Sequence, residues 1–191
     1  MRGVGSRWRS VEYTLVSAGP CAVAVDLSTV GVAQMFFDCL VVRVDVEPGD
    51  CPLTAEAVRA IRYLCLVSEA AHIVIAGAPH CATAGGRSTP AADPLDVLTQ
   101  VADTLDVLSD LAERLGRYGE RVHLLPFGWN IAWRAEQSKR QWDLPSITVS
   151  ASGDVDVVPD FIRRSSCSSV SYSSTARVSG PARSVCQLGQ W

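Results

Sequence analysis

The sequence predicts an α/β fold in which a mixed β-sheet is covered by two main helices. Apolar and polar residues alternate with a period of two within residues 39–46, which is typical of a half-buried strand. Two segments with a helical period of apolar residues follow, at 54–71 and 94–115, and each leads into an apolar strand. Strands that alternate with helices along a chain favour a layered α/β domain.

The second helix carries the clearest boundary signals. Asp93 can cap it, Pro94 suits the first helical position, and Asp96 lies near the positive end of the helix dipole. Gly116 is predicted to end it. The predicted strands are, in chain order, 12–17, 22–25, 39–46, 72–78, 122–127, 131–135 and 147–149.

Length and composition predict one domain followed by a tail. The chain has 191 residues, enough for one sizeable core, and we assign 1–150 to the domain and 151–191 to the tail. Residues 165–191 contain nine serines and no acid, so we expect this basic tail to be largely disordered. Its arginines give it a positive charge that suits a nucleic-acid backbone, and the alternative is an unselected or linker-like extension.

Charge and cysteine content limit the partners. The formal net charge of −3 argues against indiscriminate nucleic-acid binding, so we expect no DNA partner. Seven cysteines without a CxxC pair favour a reducing cytoplasm over a disulfide framework. Three histidines without clustered cysteines give weak support for zinc, and we expect neither a metal nor another cofactor. No apolar run approaches the ~20 residues of a membrane span, so no membrane partner is expected.

Two segments about fifty residues apart carry the functional signal. The first is the apolar run 73–79, which delivers His80 into a loop of small residues, and the second is 124–129, which contains Pro126, Phe127 and Gly128. Together with the helix between them, they resemble the editing domain of archaeal-type threonyl-tRNA synthetases, a relative of the D-aminoacyl-tRNA deacylases. The resemblance runs from about residue 11 to residue 149.

The resemblance implies a deacylase-like fold and hydrolysis of wrongly charged tRNA. It makes His80 the candidate catalytic residue, and it implies the 3′ end of aminoacyl-tRNA and a second copy of the chain as partners. The candidate substrate-binding residues are Thr83, Phe127, Gly128, Trp129, Asn130 and Ile131.

The chain departs from the family pattern in three places. The family has an aromatic residue and then a lysine where this chain has Asn130 and Ile131. An acidic residue expected further on has Asp143 as its nearest counterpart, and only with a gap. Family members begin with a long apolar strand, whereas this chain has Gly3 and Gly5 there, so its first strand looks short or eroded.

The missing lysine leaves three possibilities open. Backbone N–H groups of the small-residue loop 81–87 can stabilise an oxyanion, so hydrolysis without the lysine is conceivable. Alternatively, Ile131 makes the pocket less polar and retunes it to another amino acid, or the site is inactive.

Each candidate also has a structural interpretation. His80 can be an ordinary histidine at a strand end, and Cys81 beside it lacks a nearby acid that would orient a nucleophilic pair. Trp129, Ile131 and Trp133 share one face of a strand, either to stack on tRNA bases or to form a buried sheet face. If the face without helices is exposed, this apolar patch predicts a homodimer.

These observations give two main hypotheses. The first is a free-standing deacylase that edits tRNA in trans, since a pocket that accepts threonine rejects serine by only ~1–3 kcal/mol and a second hydrolytic site is the usual remedy. The second is a catalytically silent tRNA-binding or accessory domain that has lost the family lysine. A third reading, an esterase that acts on a substrate other than tRNA, requires cleavage of small esters without RNA.

Overall fold

The structure is a computed structural model that describes residues 1–79, 94–137, 146–149 and 155–158. This part of the chain contains seven strands and two α-helices. The strands are β1 (Arg2–Ala18), β2 (Ala33–Val46), β3 (His72–Pro79), β4 (Val122–Leu124), β5 (Trp129–Gln137), β6 (Ser146–Val149) and β7 (Val155–Val158). The helices are α1 (Thr54–Ser68) and α2 (Pro94–Arg117), and short 3₁₀ turns lie at Leu27–Thr29 and Cys51–Leu53.

The strands form one mixed sheet, which confirms the predicted α/β class. The order is β4-β3-β2-β1-β6-β7, and β5 pairs with β1 on the edge that β6 also uses. The neighbours β2, β3 and β4 are parallel, whereas β1 is antiparallel to β2, β5 and β6. Strand β7 pairs with β6, so the sheet continues past residue 150.

The prediction of a short first strand is wrong. β1 has 17 residues and pairs with β2 from Arg2 to Thr14. The segment 22–25, predicted as a strand, is not one. Gly3 and Gly5 have no side chains, so the alternation of apolar and polar residues cannot be seen at the start of β1. Both glycines pair with apolar valines of β2.

Both helices pack on one face of the sheet and form the helix-side core. The side chains of β2 at even positions from Leu40 to Val46 lie in this core because strand residues alternate between faces. Gly77 of β3 lies so close to α2 that an added Cβ would stand 2.0 Å from a methyl carbon of Leu108. Other members include Ile61, Leu64, Ile73, Ile75, Leu111, Leu115 and Phe127.

The second helix begins at Pro94 as predicted but ends later. It continues through Gly116 to Arg117, and Gly119 supplies the left-handed residue after it, with a φ of 85°. The N–H of Glu120 then bonds to the carbonyl of Leu115 at 3.2 Å. Gly119 therefore ends the helix, because the residue after a helix often adopts a positive φ. Gly116 does not have a positive φ and lies within the helix.

The hairpin of β1 and β2 bends back over its own sheet. In the pairing register, Gly5 of β1, Ile75 of β3 and Leu124 of β4 lie level with one another. Trp129 pairs with Ala18. Ala18 is 13 residues after Gly5, a distance of about 43 Å if β1 were straight. The link from Leu124 to Trp129 spans at most about 18 Å. The second half of β1 must therefore turn back toward β4.

The folded-back half of the hairpin and β5 enclose a second, inner core on the sheet face away from the helices. Its members are Val11, Tyr13, Leu15, Cys39, Val74, Leu125, Trp129 and Trp133. Ile131 packs at its margin, partly exposed. The tryptophans are 7% and 8% exposed within a single chain, so the premise of an exposed apolar patch is wrong. The homodimer itself stays a prediction.

The bend lies at Arg9 and Asp38. Asp38 has a φ of 51°, and the pairing of β1 with β5 shifts between Trp8 and Ser10. Trp8 and Val11 both pack in the inner core although they are three residues apart, whereas a regular strand would place them on opposite faces. The irregular backbone therefore reverses which side chains face inward.

Arg7 ties this bend to the end of α1. Its side chain is 10% exposed, and its Nε donates to the carbonyl of Ser68 at 3.0 Å. Its Nη2 donates to the carbonyl of Glu69 at 3.3 Å and to the carboxylate of Asp38 at 3.2 Å, and Nη1 donates to the carbonyl of Trp8 at 2.7 Å. A cation at a helix C-terminus satisfies carbonyls that have no partner within the helix.

Replacement of Arg7 by alanine is expected to lower the free energy of unfolding by about 2–4 kcal/mol, because it leaves the partly buried carbonyls of Ser68 and Trp8 without their donor. Arg9→Ala is the matched control. Arg9 is 64% exposed with one ion pair to Glu136 at 3.5 Å, so its loss should cost no more than about 1 kcal/mol. Urea unfolding followed by tryptophan fluorescence measures both. Equal costs for the two variants would contradict this role of Arg7.

Candidate functional site

The two segments that carry the predicted site leave the sheet at the same end. β3 and β4 are adjacent parallel strands, with Ile75 opposite Leu124, and the N–H of Leu125 continues the ladder to the carbonyl of Ile75 at 2.9 Å. β3 ends at Pro79, and β4 leads directly into the segment 126–128. The carboxyl ends of parallel strands are the usual place for ligands in open α/β sheets. The candidate catalytic residue His80 and the candidate Thr83 lie outside the described residues.

The turn at Phe127 and Gly128 is joined to residues 19–23 backbone to backbone. The N–H of Gly19 bonds to the carbonyl of Gly128 at 2.9 Å, and the N–H of Val23 bonds to the carbonyl of Phe127 at 3.0 Å. Gly128 has a φ of 77°, and a Cβ there would stand 2.5 Å from the carbonyl oxygen of Cys21. Only glycine fits this position, both for its φ and for the approach of the second chain segment.

The aromatic side chains of this segment are largely taken up by packing. Phe127 is 8% exposed and belongs to the helix-side core. Trp129 is buried in the inner core, and its indole Nε1 donates to the carbonyl of Val23 at 2.9 Å. A buried indole N–H needs such a partner, so this bond serves the fold.

The next two residues reach the surface. Asn130 donates from Nδ2 to the hydroxyl of Ser17 at 2.8 Å in an exposed contact. Ile131 is partly exposed at the margin of the inner core and pairs with Leu15 of β1. The structure thus brings Phe127, Gly128, Trp129, Asn130 and Ile131 together on one turn and strand, with Asn130 and Ile131 the more accessible side chains.

A tyrosine and a histidine share a hydrogen bond where the folded-back hairpin meets β4. The hydroxyl of Tyr13 lies 2.7 Å from Nε2 of His123, and the Phe36 ring lies 4.6 Å from the His123 ring, measured between centroids. Burial raises the pKa of Tyr13 and lowers the pKa of His123. Both shifts favour a neutral pair in which the tyrosine O–H donates to the imidazole. Sequence reasoning missed this pair, because its two members are 110 residues apart.

The cysteines of the described residues are free thiols. They are Cys21, Cys39, Cys51 and Cys65. Burial raises the pKa of Cys39 and of Cys65 to about 11, so both stay protonated near neutral pH and are poor nucleophiles. Cys81 lies outside the described residues.

Among the described residues, no group of three His, Cys, Asp or Glu side chains is placed to hold a metal ion. None of the helices there is both long and apolar enough to cross a membrane. No protein-family model matches the chain, and no curated protein matches it either.

Replacement of Gly128 by alanine is expected to destabilise the protein by more than a positive φ alone explains. Gly31 is the matched control, since its φ is 78° and a Cβ there meets nothing within 4 Å. Gly31→Ala should cost about 1–2 kcal/mol for the left-handed backbone. Gly128→Ala should cost about 1–3 kcal/mol more, because the Cβ collides with backbone. Urea unfolding compares them, and equal costs would contradict the close approach.

The Tyr13–His123 pair predicts a loss of stability in mild acid. Because burial lowers the pKa of His123, the unfolded chain takes up a proton near pH 6.5 while the folded chain does not. Stability is therefore complete above about pH 6.5 and falls as the pH drops toward the lower folded value. Urea midpoints measured between about pH 8 and pH 5 test this. His123→Gln should flatten this part of the profile, and an unchanged slope would contradict it.

Proposed function

We propose that this protein is a free-standing aminoacyl-tRNA deacylase that hydrolyses mischarged tRNA in trans. One observation carries the proposal: the two segments of the resemblance lie on the adjacent parallel strands β3 and β4 and leave the sheet at the same end. A shared site requires this arrangement, which the sequence alone did not guarantee. The proposed partners are the 3′ end of aminoacyl-tRNA and a second copy of the chain.

The reaction is hydrolysis of the ester between an amino acid and the terminal ribose. It requires a positioned water, donors for the developing oxyanion and a proton acceptor. The proposal assigns the acceptor role to His80 and backbone donation to the small-residue loop that contains Thr83. Because Ile131 replaces the lysine of the family, the proposed site works without a side-chain ammonium at that position. The resemblance makes serine on threonine tRNA the first substrate to test.

The alternative is a catalytically silent domain that binds tRNA without cleaving it. Two contacts favour it over a complete pocket. The indole N–H of Trp129 donates to the carbonyl of Val23, and Phe127 packs in the helix-side core. Neither ring is therefore available to contact a ligand. Under this alternative, Ile131→Lys would introduce some hydrolysis into an otherwise inactive chain.

Seryl-tRNA and threonyl-tRNA, both on threonine tRNA, are the direct substrates for a test. We expect the protein to speed loss of the seryl ester well above the rate without enzyme, and to act more slowly on the threonyl ester. His80→Ala should reduce the rate about 100-fold, the order of magnitude of general acid–base catalysis.

His72→Ala is the matched control for that substitution. His72 begins the same strand at its opposite end, where Nδ1 lies 3.1 Å from the carbonyl of Phe37. This variant should retain the rate of the unmodified protein. Decay of both esters at the rate without enzyme would overturn the catalytic proposal, and full activity of His80→Ala would overturn the role of His80.

A further inference from the structure

Two oppositely charged residues lie near the C-terminal end of strand β2, between buried valines. Val42, Val44 and Val46 point into the helix-side core, so the residues between them, Arg43 and Asp45, lie on the opposite face. Nε of Arg43 is 3.2 Å from a carboxylate oxygen of Asp45. Their side chains are 49% and 33% exposed, so solvent and ligands reach both.

The pair lies at the end of the sheet where the proposed site is located. Arg43 pairs in register with Ala76, and Asp45 pairs with Ala78, next to the last residue of β3. Ala76 packs at the margin of the inner core. On this face the inner core therefore ends beside Arg43, and the strand continues as a charged surface.

An exposed ion pair contributes about 0–1 kcal/mol, and aspartate is disfavoured within strands. A guanidinium, in contrast, matches the oxygens of a phosphate, and a neighbouring carboxylate holds it in one orientation. Because the formal net charge is −3, contact with a polyanion requires local cations of this kind.

We infer that Arg43, oriented by Asp45, binds a backbone phosphate near the single-stranded 3′ end of tRNA. The inference rests on the proposed function for the identity of the RNA. It supplies a guanidinium at the end of the sheet that holds the proposed site, in a chain that has Ile131 in place of the family lysine. Arg43 acts here in binding, and Asp45 acts as a positioning residue.

Binding of an uncharged tRNA acceptor minihelix that ends in CCA, measured by fluorescence anisotropy over a range of salt concentrations, tests this directly. Arg43→Gln should weaken binding about tenfold and reduce the slope of log K against log salt by about 0.7, the value for one phosphate of a single strand. Arg43→Lys should keep most of the slope. Asp45→Asn should weaken binding less than Arg43→Gln does and leave the slope unchanged, because the cation remains.

Arg59→Gln is the control variant. Arg59 lies on α1, its side chain is 72% exposed, and its guanidinium forms an ion pair with Glu56 one turn earlier. The Arg59→Gln variant should bind the minihelix with the affinity and salt slope of the unmodified protein. Circular dichroism of each variant verifies folding, and Arg43→Lys supplies a second measurement if Arg43→Gln does not fold.

The two proposals fail in different ways. If the unmodified protein binds the minihelix with a salt slope that depends on Arg43 but cleaves no aminoacyl ester, the deacylase fails and the phosphate site holds. If it cleaves the ester and Arg43→Gln leaves both slope and affinity unchanged, the phosphate site fails and the deacylase holds. Absence of any minihelix binding by the unmodified protein overturns the inference.

Discussion

Five residue steps separate Leu124 at the end of β4 from Trp129 at the start of β5, and this short link governs the architecture. β4 and β5 lie on opposite sides of β1, β2 and β3 in the order of the sheet. A chain of this length cannot reach across a flat sheet to the far end of a straight strand of 17 residues. The hairpin therefore bends, and the inner core fills the space that the bend encloses.

The bend in turn determines what the candidate motif can do. Closing the hairpin places residues 19–23 against the turn at Gly128, where two carbonyls accept backbone N–H groups. The Pro-Phe-Gly segment thus links distant parts of the chain by backbone hydrogen bonds, and it also lines the proposed site. The segment therefore has a folding role that does not depend on the chemistry of the proposed site.

Much of the layered fold was predictable from the sequence because it depends on local periodicity. The alternation in β2 and the start of α2 at Pro94 are both readable within a few residues. The length of β1 was not, because Gly3 and Gly5 carry no side chain to show which face is buried. Nor was the end of α2, since two glycines lie close together and only the backbone shows that Gly119 has the positive φ.

The site was harder to predict because its environment comes from distant segments. Alternation placed Trp129 and Trp133 on one face correctly, but it carried no information on what covers that face. The cover is the chain's own hairpin, which depends on the bend at Asp38 rather than on any local pattern. The Tyr13–His123 bond and the Arg43–Asp45 surface likewise depend on strand order.

The pairing of β1 with β5 also sets the order of events during synthesis. Tyr13 leaves the ribosome about 120 residues before its partner Trp133, so the inner face of the hairpin emerges long before anything can cover it. Contacts of such sequence separation slow folding, and the apolar strand face stays open to other chains meanwhile. A chaperone that protects the nascent hairpin would therefore have to act before β5 is synthesised.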